Sequence, residues 1–145
     1  MTTIAWDGKT LAADKRCTSD GVISVVTKLY KVKGCLLAAA GDFDRIQEMI
    51  HWFRKGCMPS NLPLFQRDNA DFVGLIVIRP DKKIYRYDRG PYPHKYESPT
   101  IAIGSGGNFA LAAMHLGCTA VDAVRVACEF DCYSGNGIDT LSFDD

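Results

Sequence analysis

The sequence predicts a layered α+β domain, and three observations carry that expectation. Asp7-Gly8 and Lys33-Gly34 punctuate strand-like runs as tight hairpin turns do, "CLLAAAG" is apolar on both faces of an extended chain, and extended segments alternate with segments of helical period. Two sheets sandwiched between helices account for strands without a polar face. A chain of 145 residues fits one domain spanning 1–145, and no repeat, low-complexity tract or long linker divides it.

In chain order, "TIAW" and "KTLAADKR" form the first expected hairpin, which places Thr2 at the start of a strand. "VISVVTKLYKV" and "CLLAAAG" form the second, with Lys28 inside it. After Gly41, Ile46, Met49, Ile50 and Phe53 recur at helical spacing; Asp42 can cap that helix and Gly56 can end it. "CMPSNLPLFQRDN" reads as loop, "DFVGLIVIRP" and "KIYRYD" as a hairpin through Pro80-Asp81, and "GPYPHKYESP" as too proline-rich for either periodic element. "TIAIGSGG" is a strand entering a glycine turn, "NFALAAMHL" and "TAVDAVRVACEF" are two helices split at Gly117, and "IDTLSF" is a last short strand. Thr119 and Asp122 have the spacing of a capping box.

Seventeen basic and seventeen acidic residues cancel, which offers no general attraction to nucleic acid or to an anionic membrane. No run approaches the roughly 20 apolar residues that span a bilayer, and no secretory signal pattern opens the chain, so a cytoplasmic protein is expected. Six cysteines in such a chain read as free thiols. Cys128 and Cys132 have a spacing that would put them on one helical face, but no second ligand pair at zinc spacing follows them.

"GSGG" lacks the Lys-Ser/Thr pair of a phosphate loop, and Phe109 stands where G-x-G-x-x-G needs its third glycine. Neither a G-x-S-x-G elbow nor H-E-x-x-H is present. What remains is the start, "MTT". Removal of Met1 would make Thr2 N-terminal, and a threonine hydroxyl paired with its own α-amine, of ordinary pKa about 8, is an established nucleophile and base. A nearby cation would depress the amine's pKa and favour the alkoxide-like transition state, with an aspartate holding that cation; Lys28 and Asp14 are the candidates. On spacing alone, "MTT" also reads as an ordinary start, and Asp14 and Lys28 as a solvated strand pair.

"TTIAWDGKTLAADKR", "TKLYKV", "LLAAAGD", "IAIGSGGNFALAA" and "DCYSGNGIDTL" occur in the order in which proteasome β-subunits and the bacterial protease HslV carry their corresponding segments. The chain thus resembles the proteasome-type N-terminal-nucleophile hydrolases over most of its length. The resemblance implies a four-layer αββα sandwich and a threonine-type endopeptidase that needs no cofactor. It matches Thr2 to the nucleophile, Asp14 to the strand aspartate and Lys28 to the catalytic lysine. Gly41 matches the glycine whose N–H forms the oxyanion hole, and Ser105, Asp131 and Ser134 match the residues around the threonine amine and hydroxyl. It also implies that the turn in "CEFDCYSG" can present the backbone carbonyls of Cys128, Asp131 and Ser134 to a hard cation such as Na+ or Mg2+.

Partners implied by the resemblance are a peptide or unfolded-protein substrate and a closed homo-oligomeric ring stacked as two; the docking of an HslU-like AAA+ ATPase is left open, because loss of an outer helix should alter or abolish it. Two departures stand out. Ala38 replaces a glycine near the substrate side-chain pocket, and "GCMPSNLPLFQRDNA" shows no helical period where relatives have a second helix, so one outer-layer helix is expected to be missing. Only Met1 precedes Thr2, so methionine removal should suffice for activation. A catalytically silent scaffold of the same fold and a small-molecule amidase are the alternative functions.

Overall fold

A computed structural model describes residues 1–68 and 73–145. The described residues form a mixed α+β structure with antiparallel sheets and four α-helices, and the chain divides into two compact units, residues 1–30 with 98–145 and residues 31–97.

In the first unit β1 (Ile4–Trp6) and β2 (Leu11–Asp14) form the expected hairpin, with Ile4 opposite Ala13 and Trp6 opposite Leu11. The Asp7 carboxylate closes the turn by accepting from the N–H groups of Lys9 (2.9 Å) and Thr10 (2.8 Å), and Gly8 takes a positive φ of 97°. β10 (Ile101–Ile103) and β11 (Ile138–Leu141) flank the pair, in the order β10-β1-β2-β11. Alternate residues on both faces of β1 and β2 are buried, as a strand without a polar side requires.

Two helices cover one face of this sheet: α3 (Gly107–His115) and α4 (Ala120–Phe130). Ala5 and Ala12 meet Ala110, Ala113, Ala123, Val124 and Ala127, and these small side chains let helix and strand backbones approach closely. Thr119 caps α4 by accepting from the N–H of Asp122 at 3.2 Å, while the Asp122 side chain pairs with Arg125 instead of completing the box. The second Asp7 oxygen accepts from the N–H of Ala120 at 2.8 Å, so one carboxylate ties the first hairpin to the start of α4. Asp7→Ala removes the acceptor of three backbone N–H groups, and a loss of about 1–2 kcal/mol in urea unfolding is expected, near the upper end for a helix cap.

The expected strand "VISVVTKLYKV" is two strands. β3 (Arg16–Ser19) and β4 (Val22–Val25) form their own hairpin through Asp20 and Gly21, both at positive φ, and β4 is exposed throughout. The chain leaves extended pairing around Lys28, whose side chain turns inward, and resumes as β5 (Leu29–Val32).

In the second unit β6 (Cys35–Ala40), β7 (Gly74–Ile78), β8 (Ile84–Tyr87) and β9 (His94–Tyr96) are neighbours in that order, all antiparallel. The expected start of the β7 strand at Asp71 lies outside the described residues. β9 corrects the reading of "GPYPHKYESP": Pro91 and Pro93 precede the strand and Pro99 follows it, and at a sheet edge three residues suffice to pair with Ile84, Tyr85 and Arg86.

α1 (Phe43–Arg54) starts at Asp42, whose side chain accepts from the N–H groups of Asp44 and Arg45, and gives way at Gly56, φ 106°. It buries Ile46, Met49 and Ile50 as expected, but Trp52 in place of Phe53. The Trp52 indole donates to the Met58 carbonyl at 2.9 Å and meets Tyr87 edge-on at 5.2 Å.

The segment expected to be loop holds a 3-10 turn at Pro59–Asn61 and a five-residue helix, α2 (Leu64–Asp68). So short a helix leaves no period to read. It is anchored by Gln66, which is fully buried, accepts from the N–H of Val73 at 2.9 Å and donates to the carbonyls of Val73 and Asp88. Among the described residues no helix is long and apolar enough to cross a membrane.

Candidate active site

The hairpin register places Thr3 beside the end of β2, where the Asp14 N–H donates to the Thr3 carbonyl at 3.1 Å. Asp14 therefore points its carboxylate at the first residues of the chain from a fully buried position. Oδ1 accepts from the Thr2 hydroxyl (2.8 Å), the Thr3 N–H (3.0 Å) and Lys28 Nζ (2.8 Å). Oδ2 accepts from the N–H groups of Arg16 (3.1 Å) and Gly135 (3.0 Å). An isolated carboxylate would not survive such burial, but the Lys28 ammonium and four further donors compensate it.

Lys28 Nζ also donates to Thr2 Oγ1 at 2.7 Å, so that hydroxyl accepts from an ammonium and donates to a carboxylate at once. Burial lowers the pKa of Lys28 below the ordinary lysine value, and the hydrogen bond and charge of Asp14 offset only part of that.

A second chain of polar groups meets the backbone end of Thr2. The Thr2 N–H donates to Ser105 Oγ at 3.1 Å, and Ser105 donates to Asp131 Oδ2 at 2.6 Å. Ser134 donates to the same oxygen at 2.6 Å, and its hydroxyl lies 2.7 Å from that of Thr3. Burial pushes the Asp131 carboxyl up, but the bonds from Ser105, Ser134 and the Tyr133 N–H outweigh it and hold the group below its ordinary value.

Glycines in "GSGG" are needed because the first residues press against them. A Cβ on Gly104, which has φ 96°, would fall 2.1 Å from the Thr2 carbonyl oxygen, and one on Gly106 would fall 1.9 Å from Thr3 Oγ1. The Gly106 N–H donates to the Thr2 carbonyl at 3.1 Å. Thr2 is thus held on all sides at 3% exposure while Met1, at 59%, stands in solvent.

Six of the expected residues, Thr2, Asp14, Lys28, Ser105, Asp131 and Ser134, are joined by hydrogen bonds within the first unit. Gly41 lies in the second unit just after β6, at φ 143°, and Ala38 is buried in β6 opposite Ile76. Cys128 is in the last turn of α4, with Asp131 and Ser134 in the turn beyond it, where the Asp131 carbonyl accepts from the Ser134 N–H at 3.2 Å. Thr3 and Arg16 belong to the network and are absent from the sequence-based set. The hairpin register could have found Thr3, which falls opposite Asp14; nothing local marks Arg16.

No family model and no curated protein matches the sequence. Solved structures do match. Thiobacillus denitrificans BPH aligns with a TM-score of 0.72 at 19% identity, covering 97% of this chain and 95% of that one. Eukaryotic HslV from Trypanosoma brucei aligns with a TM-score of 0.66 at 21% identity, covering 97% of both chains. This chain has an HslV-like fold. A structure of the Thiobacillus denitrificans protein in complex with epoxomicin is similar as well, with a TM-score of 0.71 at 16% identity over 97% of this chain and 96% of that one.

Proposed function

We propose that this chain is a threonine peptidase subunit that hydrolyses peptide bonds through Thr2 once Met1 is removed. The observation that carries the reading is the Thr2 hydroxyl, bonded at once to Lys28 Nζ and Asp14 Oδ1, on a residue whose nitrogen is bonded to Ser105. The epoxomicin complex of a structurally similar protein supports it.

Loss of Met1 converts the Thr2 amide into an amine beside Ser105. That amine takes the Oγ1 proton as Oγ1 attacks the substrate carbonyl carbon, and Lys28, kept charged by Asp14, stabilises the negative charge growing on Oγ1. The carbonyl oxyanion needs a backbone N–H donor, the role that the resemblance gives to Gly41. Collapse breaks the C–N bond, the proton held by the amine leaves with the departing amine, and the acyl group stays on Oγ1 as an ester. Water, deprotonated by the same amine, cleaves that ester and restores Thr2.

A nucleophile that needs no further activation once Met1 is gone needs enclosure, and a homo-oligomeric ring provides it. The faces of α3 and α4 support self-association: Phe109 and Phe130 stack at 5.7 Å while exposed, with Leu111, Leu116 and Tyr133 also in solvent. The expected result is an intact mass beginning at Thr2, adduct formation at Thr2 by a peptide boronate or vinyl sulfone, and a multimer by native mass spectrometry. Active protein that retains Met1 overturns the mechanism. A stable, fully active monomer overturns the ring and favours a small-molecule amidase.

A further inference from the structure

The turn after α4 carries Asp131, Ser134 and Gly135, and each of these touches Ser105, Thr3 or Asp14. It is irregular backbone, so something must hold it against β2. Arg16 does this from both ends. Its Nη1 donates to the Cys132 carbonyl at 2.8 Å and its Nε to Asn136 Oδ1 at 2.7 Å, while its own N–H donates to Asp14 Oδ2. Between those two anchors the guanidinium lies against Gly135, where a Cβ would meet Nη2 at 2.6 Å and Cζ at 2.9 Å.

A resident cation at the carbonyls of Cys128, Asp131 and Ser134 does not fit these residues. The Asp131 carbonyl is engaged by the Ser134 N–H, the Asp131 carboxylate is turned to Ser105 and Ser134, and a fixed positive charge already sits on the next carbonyl, that of Cys132.

We propose that Arg16 is a positioning residue whose guanidinium locks the 131–136 turn in register with Asp14, in the role a bound cation would otherwise fill. The planar fork suits the task because it reaches two acceptors at fixed spacing, which an ammonium cannot. The inference rests on the peptidase reading for its effect on catalysis, but the locking of the turn stands apart from it.

Hydrogen–deuterium exchange over residues 131–136, read together with peptide kinetics, tests both parts. In the parent protein, exchange and kcat should be the same with Na+, with Mg2+ and with a chelator. Arg16→Ala should speed exchange and lower kcat by about 10- to 100-fold, as small misplacements in a catalytic set do, with KM little changed. Free guanidinium ion should reverse part of both effects, and Arg16→Lys should recover less than guanidinium does.

Gly135→Ala keeps Arg16 and a compatible backbone while displacing the guanidinium, and should act in the same direction where Arg16→Ala fails to fold. Parent protection that requires Mg2+ or Na+, or unchanged exchange in the folded variants, overturns the proposal. A parent that neither hydrolyses peptides nor reacts with a boronate, yet shows the exchange pattern, overturns the peptidase reading and leaves Arg16 as the lock.

Discussion

Thr2→Ala is expected to abolish peptide hydrolysis in a protein that still folds. Removing a covalent nucleophile costs on the order of 10⁶ in kcat. Its structural role is small by comparison. Asp14 Oδ1 keeps the Thr3 N–H and Lys28, and the Thr2 N–H and carbonyl keep Ser105 and Gly106, so about 1 kcal/mol of stability should be lost. Thr2→Ser retains a hydroxyl at the same place and should keep part of the activity. A fluorogenic peptide assay beside a thermal melt separates the two effects, and an alanine variant as fast as the parent would refute Thr2 as the nucleophile.

The second large effect is an asymmetry between the two members of the buried ion pair. Asp14→Ala strands a buried ammonium and removes the acceptor of four other donors, three of them backbone N–H groups. Breaking a buried pair in this way costs about 3–5 kcal/mol. Lys28→Ala leaves Asp14 with all four of those donors and should destabilise clearly less, although both variants should lose nearly all peptidase activity. Urea unfolding of the two variants checks the order, and equal losses would mean that the donors around Asp14 do not sustain its charge.

The same pair sets a pH dependence. The pKa of Lys28 is lower in the folded protein than in the unfolded chain, so the unfolded state binds more protons between the folded value and about 10.5. Stability should therefore rise with pH across that window, while a rate that needs the charged ammonium falls across it. Lys28→Ala should remove that rise in the stability curve.

Local features of the fold were legible because local chemistry makes them. The Asp7-Gly8 turn, the Asp42 and Thr119 caps, the apolar face of α1 and the two helices around Gly117 each depend on residues within a few positions of one another. The six linked site residues were legible through the order of five motifs shared with a protease family. Spacing alone left Asp14 and Lys28 open to a solvated pairing, yet they are 0% and 7% exposed.

The sequence by itself determined the α+β class, the first hairpin and the identity of the polar residues gathered at the chain's start. Only the tertiary structure decided that "VISVVTKLYKV" splits at an inward lysine, that Gln66 anchors a five-residue helix, that His94–Tyr96 pairs as an edge strand, and that Thr3 and Arg16 join the hydrogen-bonded network. The reason is separation along the chain. Ser105 reaches Thr2 across 103 positions and Gly135 reaches Asp14 across 121. Such contacts form because burial must satisfy every polar group it encloses, and that demand is set by the packed chain rather than by any one segment of it.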